Sequence, residues 1–324
     1  FSIIGKIIII VLIQLGGLGI IGFSTMLVIL PRTRISLQQR GFIRNFYIDA
    51  VEFEPVRIIR QILLTTFIIE AIGTMVLYIG FYETLKGEAL FYSLFHSISA
   101  FCNAGFSLFS TNLTHYSDNP FVIVTVTILV VLGGLGIVVI MDMVSWRKKG
   151  HITFHTRIVC MMSVLLIVFG ALSYLVLEWN STFSEMPIAQ KLMNSVFQSV
   201  TPRTAGFNTV DQGEMTLPSQ CISMLLMFFG GGSGSTAGGI KVTTLFLLVM
   251  AVIRGADARG SVRALGRRIK RTTFSNSLIF ALRALFVLFV AVFSLIVAES
   301  LAGTVDHRSF LSYMFEVISA FGTV

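Results

Sequence analysis

The sequence predicts an all-α membrane protein made of repeated units, each a span, a re-entrant half-helix and a second span. Three observations carry this: a composition too apolar for a soluble surface, loops whose charge alternates in sign, and short apolar segments that recur in phase with a glycine hexapeptide. Of 324 residues, 55% are hydrophobic and only 12% are charged, where a soluble domain has about 25% charged residues. Charge-free stretches at 7–30, 120–141 and 158–177 each reach the roughly 20 residues that cross a bilayer core as a helix. The stretches 61–82 and 275–298 do the same with one ionisable residue apiece, Glu70 and Arg283.

Of the 24 lysines and arginines, 17 fall in three segments, 31–60, 145–157 and 254–271. The intervening polar segments are acidic, with Glu83, Glu88, Asp118, Glu178, Glu185, Asp211, Glu214, Glu299 and Asp306. Short loops rich in lysine and arginine stay cytoplasmic, so the net charge of +8 reports topology. On a soluble chain that charge would suggest nucleic acid; here it sits in short loops between spans, which argues against such a partner and leaves membrane lipid as the surroundings. Cys102, Cys160 and Cys221 are too few and too scattered for a disulfide framework or a zinc site. The chain begins without methionine inside an apolar run and ends inside a motif, so both ends are expected to be truncated.

Taken in order, 7–30 is the second span of a first unit and, with the start of the following basic loop, makes up 1–44. Unit 2, 45–150, holds the span 61–82, the segment 89–101 and the span 120–141. The middle segment covers only about 20 Å as a helix, too short to cross. With both flanking basic loops inside, it must enter from outside and turn back, which a membrane tolerates only where protein or water covers the irregular backbone. Unit 3, 151–271, repeats the order with 158–177, 187–200, a stretch from 217 onward and a cytoplasmic loop. Unit 4, 272–324, holds 275–298 and 309–321. Sequence repeats support this phase. Leu15-Gly16-Gly17-Leu18-Gly19-Ile20 returns unchanged as Leu132-Gly133-Gly134-Leu135-Gly136-Ile137 in the corresponding second spans. Taken alone, the hexapeptide reads as close helix packing through small residues. Phe95-His96-Ser97-Ile98-Ser99-Ala100-Phe101 aligns with Phe315-Glu316-Val317-Ile318-Ser319-Ala320-Phe321, and the third copy, Phe197-Gln198-Ser199-Val200-Thr201-Pro202, is one residue shorter before its glycine.

Each half-helix runs into small residues: Cys102-Asn103-Ala104-Gly105-Phe106, Arg203-Thr204-Ala205-Gly206-Phe207, and Gly322-Thr323-Val324. A half-helix entering from outside points its negative C-terminal end at the bilayer centre, where cations are favoured. Extended backbone leaving that end can aim carbonyls at an axis and replace an ion's hydration shell. A glycine C-cap followed by a loop explains one such site, not several at one depth.

The segment Gly230, Gly231, Gly232, Ser233, Gly234, Ser235, Thr236, Ala237, Gly238, Gly239 interrupts an apolar stretch, 217–253, that would measure about 55 Å as one helix. Unwound backbone at mid-membrane must line a cavity, and ion pathways are where it occurs. A nucleotide-binding loop is the competing reading; Ile240 stands at its lysine position, and both flanks are apolar. The segment, with Lys241 after it, is therefore expected to act as a gate below the turns. Lys241 has three open readings: repelling cations, pairing with an acidic side chain, or snorkelling.

Four such units with one glycine turn each resemble the Trk/Ktr/HKT superfamily of potassium transporters. NAGF at 103–106 and TAGF at 204–207 resemble that family's second and third selectivity-filter segments. SAFGTV at 319–324 resembles the fourth, cut before its expected glycine. GGGSGSTAGGIKVTT at 230–244 resembles the broken second span of the third unit and is most similar to the Ktr branch. The resemblance covers essentially the whole chain. It implies a potassium-channel-like fold around a pseudo-fourfold pore lined by carbonyls of Cys102, Asn103, Ala104 and Gly105, of Arg203, Thr204, Ala205 and Gly206, and of Thr323 and Val324. It also implies potassium uptake across the cytoplasmic membrane, with sodium as a second candidate ion and no organic cofactor. Its implied partners are a second copy, as a homodimer, and a peripheral cytoplasmic nucleotide-binding subunit that regulates the pore, with the loop 254–271 as a candidate contact. The family's first filter segment, fourth glycine and last span have no counterpart in this sequence.

Two rivals remain. An alternating-access carrier coupled to sodium or protons also uses broken helices. A membrane-embedded enzyme would need convergent His, Asp or Glu at one depth, and no nucleophile–base pair or metal-ligand cluster is evident, so no enzymatic chemistry is expected. His96, Gln198 and Glu316 occupy equivalent positions, with hydrogen bonding to the filter backbone and burial with a local partner both open. Glu70, Asp142 and Arg283 are expensive in lipid and are expected to face protein or the interface. The Arg203 side chain is expected to point away from the axis.

Overall fold

Each half-helix is gripped by the long helix before it and by the second span of the preceding unit. The structure, a computed structural model, describes residues 2–19, 55–255, 262–264, 267–269, 271–302 and 310–324. The basic segment 31–60 therefore lies outside the described residues up to residue 54. The helices are α1 (Ile3–Gly17), α2 (Pro55–Leu85), α3 (Ala89–Phe101), α4 (Pro120–Leu135), α5 (Ile137–Lys149), α6 (Phe154–Leu177), α7 (Ile188–Val200), α8 (Leu217–Phe228), α9 (Val242–Arg254), α10 (Arg271–Ala302) and α11 (Phe310–Gly322). Two short antiparallel strands, β1 (Val262–Ala264) and β2 (Arg267–Ile269), form a hairpin within the third basic segment.

The contact pattern repeats from unit to unit. Within units, α2 packs on α3, α6 on α7 and α10 on α11; between units, α1 packs on α3, α4 on α7 and α8 on α11. Small residues make the first set close. A Cβ on Gly73 would crowd the Ser97 hydroxyl, and one on Gly170 would crowd that of Ser199. Those hydroxyls donate to the carbonyls of Glu70 and Ile167, both at 2.7 Å, so one glycine and one serine fasten α3 and α7 each to its long partner.

Among the described residues, three membrane-length apolar runs lie in α2 continuing through α3, in α6 and in α10. Their outward faces carry Phe67, Ile72, Met75 and Ile79 on α2, Val164, Val168 and Leu172 on α6, and Phe286, Phe289 and Phe293 on α10, all exposed. Such a surface suits lipid and not water.

The stretch 120–141, expected as one span, is instead two helices, α4 and α5, bent by 96°. Asn119 caps the start of α4, its Oδ1 accepting from Phe121 N and Val122 N, with Pro120 in the first turn. The bend falls at Gly136, whose φ of 88° and ψ of 147° suit glycine alone. Gly19, the matching residue of the first hexapeptide, also has positive φ, 75°. In the second unit the hexapeptide is thus a chain break with a close contact, not plain helix packing. A Cβ on Gly133 would fall on the Phe101 carbonyl oxygen at the end of α3.

Candidate functional site

The three half-helices end in one shared geometry. In unit 2, Cys102 N bonds Ile98 O at 2.9 Å and Ala104 N folds back to Ser99 O at 2.8 Å. In unit 4, Val324 N reaches Ser319 O at 3.0 Å. In unit 3, Ala205 N and Gly206 N both reach Thr201 O, at 3.0 and 3.1 Å. Ser99, Thr201 and Ser319 are therefore equivalent, and the missing residue of unit 3 lies between Thr201 and Ala205. Their hydroxyls brace the turns from behind: Ser99 donates to Phe106 O at 2.8 Å, Thr201 to Phe207 O at 2.6 Å and Ser319 to Val324 O at 2.9 Å. Sequence reasoning passed over these hydroxyls, although a Ser or Thr at one offset in all three copies was the available signal.

Left-handed backbone recurs at matching places, with φ of 51° at Asn103, 82° at Thr204 and 58° at Thr323, then 69° at Gly105 and 77° at Gly206. Positive φ at a residue with a side chain is uncommon and costs roughly 1–2 kcal/mol. Three such residues at equivalent positions persist only because the surroundings hold them. Among the described residues, no hydrogen bond reaches the carbonyls of Cys102, Asn103, Ala104, Gly105, Arg203, Thr204, Ala205, Gly206 or Thr323. Unpaired carbonyls at a helix C-terminal end favour a cation.

The turns also meet. A Cβ on Gly105 would fall on the Ala205 carbonyl oxygen, and one on Gly206 would come within 3.0 Å of the Val324 carbonyl carbon. The Asn103 amide, with its nitrogen toward the carbonyls of Ala100 and Val130, donates to both at 3.1 Å. Its other amide atom lies 3.4 Å from Thr204 Oγ1 in the next turn.

Behind the turns, units 2 and 3 carry different ionisable side chains. The buried Glu70 carboxylate accepts from Gln14 Nε2 at 3.1 Å and lies 4.0 Å from Cys102 Sγ. Arg203, also buried, points into the protein and reaches Ser163 and Gly230. His96 does not contact the turn backbone. Its Nδ1 donates to Tyr92 O at 2.8 Å and its Nε2 meets Ser107 Oγ at 3.0 Å, so it ties α3 to the outer loop. Gln198 likewise meets an outer residue, Gln212, at 3.1 Å, and Glu316 is exposed. Asp142 accepts from Thr153 N and Oγ1, both at 2.9 Å, at the start of α6. Arg283 is exposed on α10, uncovered by this chain because the side that packs presents Ala281, Ala284 and Leu288.

The outer end of unit 3 is stapled by Glu178. Its Oε1 accepts from Thr216 N and Oγ1 at 3.0 and 2.7 Å, and its Oε2 from Thr182 Oγ1 at 2.9 Å. Burial alone would raise this carboxyl, but hydrogen bonds from Ser219, Thr216 and Thr182 outweigh it and hold it below the ordinary carboxylate range.

Beneath the turns lies the glycine segment, closed at its neck by a bridge between Phe229 and Ile240. Gly230 N bonds Ile240 O at 3.0 Å, Ile240 N bonds Phe228 O at 2.9 Å, and Val242 N bonds Gly231 O at 3.1 Å. On one side Gly232 N donates to Gly134 O at 2.8 Å, and Thr236 Oγ1 lies 3.4 Å from Phe101 O. On the other, a Cβ on Gly238 would strike Thr323 Oγ1. The segment thus touches the ends of α3 and α11 and the break of unit 2. Lys241 donates back to Ala237 O within the segment, the partner none of the three readings named.

A family model described as TrkH, cation transport protein, matches residues 2–324. The chain is 34% identical over 327 residues to Ktr system potassium uptake protein B of Bacillus subtilis, covering 100% of this chain and 72% of that protein. It is 35% identical to the Vibrio alginolyticus protein of the same name, over 100% of this chain and 71% of that one. It is 32% identical to the potassium/sodium uptake protein NtpJ of Enterococcus hirae, over 99% and 71%. The crystal structure of the potassium transporter TrkH from Vibrio parahaemolyticus shares the fold at a TM-score of 0.62 and 19% identity, covering 93% of this chain and 60% of that one.

Proposed function

The chain belongs to the TrkH family of cation transport proteins and is integral to the cytoplasmic membrane, and on that premise we propose that it takes up potassium through a selectivity filter made of one glycine turn per unit. The observation that carries this reading is the set of unpaired carbonyls on three adjoining turns, from Cys102 to Gly105, from Arg203 to Gly206 and at Thr323. A dehydrated cation needs such oxygens, and the negative ends of three half-helices add to their attraction. Potassium is the preferred ion, since several relatives are named for its uptake; the relative named for potassium and sodium makes sodium the second.

The segment 230–239 is the gate. It lies against the inner ends of the turns, and its glycines and small polar side chains let it move with little repacking. The relatives named as part of a Ktr system support a further component. We assign this role to a peripheral cytoplasmic nucleotide-binding subunit acting on a homodimer of the present chain.

Uptake of rubidium or potassium into proteoliposomes containing the full-length protein, with and without sodium, tests the reading. A pore conducts down a potassium gradient alone, with sodium changing the rate at most. Uptake strictly tied to inward sodium or proton flow would replace the pore with an alternating-access carrier.

A further inference from the structure

We propose that Arg203 is the latch of the glycine segment: its buried guanidinium ties the third turn to the neck of the loop and resists the loop's displacement. This rests on the gate reading and adds a positioning residue to it. Arg203 is 8% exposed, and no acidic side chain pairs with it among the described residues. Its two terminal nitrogens donate to Ser163 O, Ser163 Oγ and Gly230 O, each at 3.4 Å, and its Nε has no acceptor. A guanidinium has five donors and keeps its charge. Buried without a counter-ion, it depends on each charge-assisted hydrogen bond it retains.

Gly230 is where the loop is pinched. Its N–H holds Ile240 O at 3.0 Å, and a Cβ there would strike the Gly238 carbonyl and lie 3.2 Å from Thr204 Cγ2. Two consecutive residues of the third turn, Arg203 and Thr204, thus grip one residue of the neck. A loop that leaves this place strips Arg203 of one of its two partner residues, with no acidic side chain among the described residues paired with it as a substitute. Unit 2 supplies the control: the matching side chain there is Cys102, uncharged, and no long loop lies at its break.

The test uses the full-length protein in proteoliposomes with a reporter, Ser233→Cys, compared with the same protein lacking it. Three quantities are read: modification by a membrane-impermeant thiol reagent from the cytoplasmic side, rubidium influx, and the potassium-to-sodium flux ratio. Arg203→Gln is expected to raise the modification rate about tenfold, the population shift that one charge-assisted hydrogen bond supports, with faster influx. Arg203→Lys, which keeps the charge but not the fork that spans Ser163 and Gly230, gives a smaller rise and decides the matter if the glutamine variant does not fold. An unchanged modification rate in a folded, inserted variant overturns the latch, as does a fall in flux ratio without greater loop reactivity. A rise in reactivity without faster influx keeps the latch and removes the gate, so the two readings fail separately.

Discussion

In unit 2 the second span turns on a single residue, Gly136, and its two helices part at 96°. In unit 3 the same place, about a dozen residues after Pro218, holds thirteen residues, 229–241, between α8 and α9. The one-residue elbow has no slack: Gly133 lies on Phe101, Gly134 accepts from Gly232, and Gly136 backs onto Gly234 and Ser235. The longer insertion packs its backbone on that elbow but leaves its side-chain side open at the tip, where a Cβ on Gly234 would meet only Val138 Cγ2 at 3.9 Å. A break needs only one glycine; reach needs length, and it is reach that brings unit 3's segment under the turns of units 2 and 4.

The largest test of this contrast is Gly133→Ala against Gly234→Ala. The first puts a methyl onto a backbone carbonyl that cannot move away and should destabilise the protein by about 3 kcal/mol or abolish folding. The second meets open space and carries only left-handed strain, about 1 kcal/mol. Thermal unfolding in detergent compares them, and equal losses would mean that the elbow is as soft as the loop. Next comes selectivity. Gly105→Ser should lower the potassium-to-sodium flux ratio about tenfold, or roughly 1.4 kcal/mol, because its side chain meets the Ala205 carbonyl oxygen directly. Gly206→Ser, whose neighbour lies 3.0 Å from the added atom, should lose less; the reverse order would put the better-defined turn in unit 3.

Deleting Gly231 to Ser235 should raise flux several-fold with little change in ion ratio, since reach is lost while the turns remain. A folded, inserted deletion no faster than the parent protein would return this loop to the same role as the elbow. The smallest effect concerns the outer ends. Unit 2 is closed there by the hydroxyl pair Thr84 and Tyr116, 2.8 Å apart, and unit 3 by Glu178. Glu178→Gln should cost about 1 kcal/mol at neutral pH through its weakened hydrogen bonds. Because the folded carboxyl lies below its ordinary value of 4.5, its contribution is full above that pH and is lost as pH falls through the folded value. The stability difference between parent and variant should therefore shrink below about pH 4.5; a constant difference would show that the staple carries no charge.

The half-helices were legible from hydropathy. The segment read at 89–101 is α3 with those bounds, that at 187–200 differs from α7 by one residue, and that at 309–321 differs from α11 by one residue at each end. Their shortness was the signal, and length is a property the sequence displays directly. The bend at Gly136 was not legible, because an apolar stretch with glycines reads alike whether straight or broken. What decides is tertiary: the closeness of Phe101 on one side and of the loop on the other. The same holds for the candidate site. Glycine at 105 and 206 announced left-handed backbone, whereas the partners of His96, Gln198 and Lys241 depended on chain segments that no spacing rule brings together.

The bridge between Phe229 and Ile240 has a mechanical consequence. A loop tied at its neck has a constant perimeter, so its two ends cannot be drawn apart by the helices that lead into it. When bilayers differ in thickness, helices such as α8 and α9 tilt to match, and an untied linker would be stretched or slackened by that tilt. Here the bridge, with its hydrogen bonds from Gly230 N to Ile240 O and from Ile240 N to Phe228 O, takes up that pull before it reaches the segment under the turns.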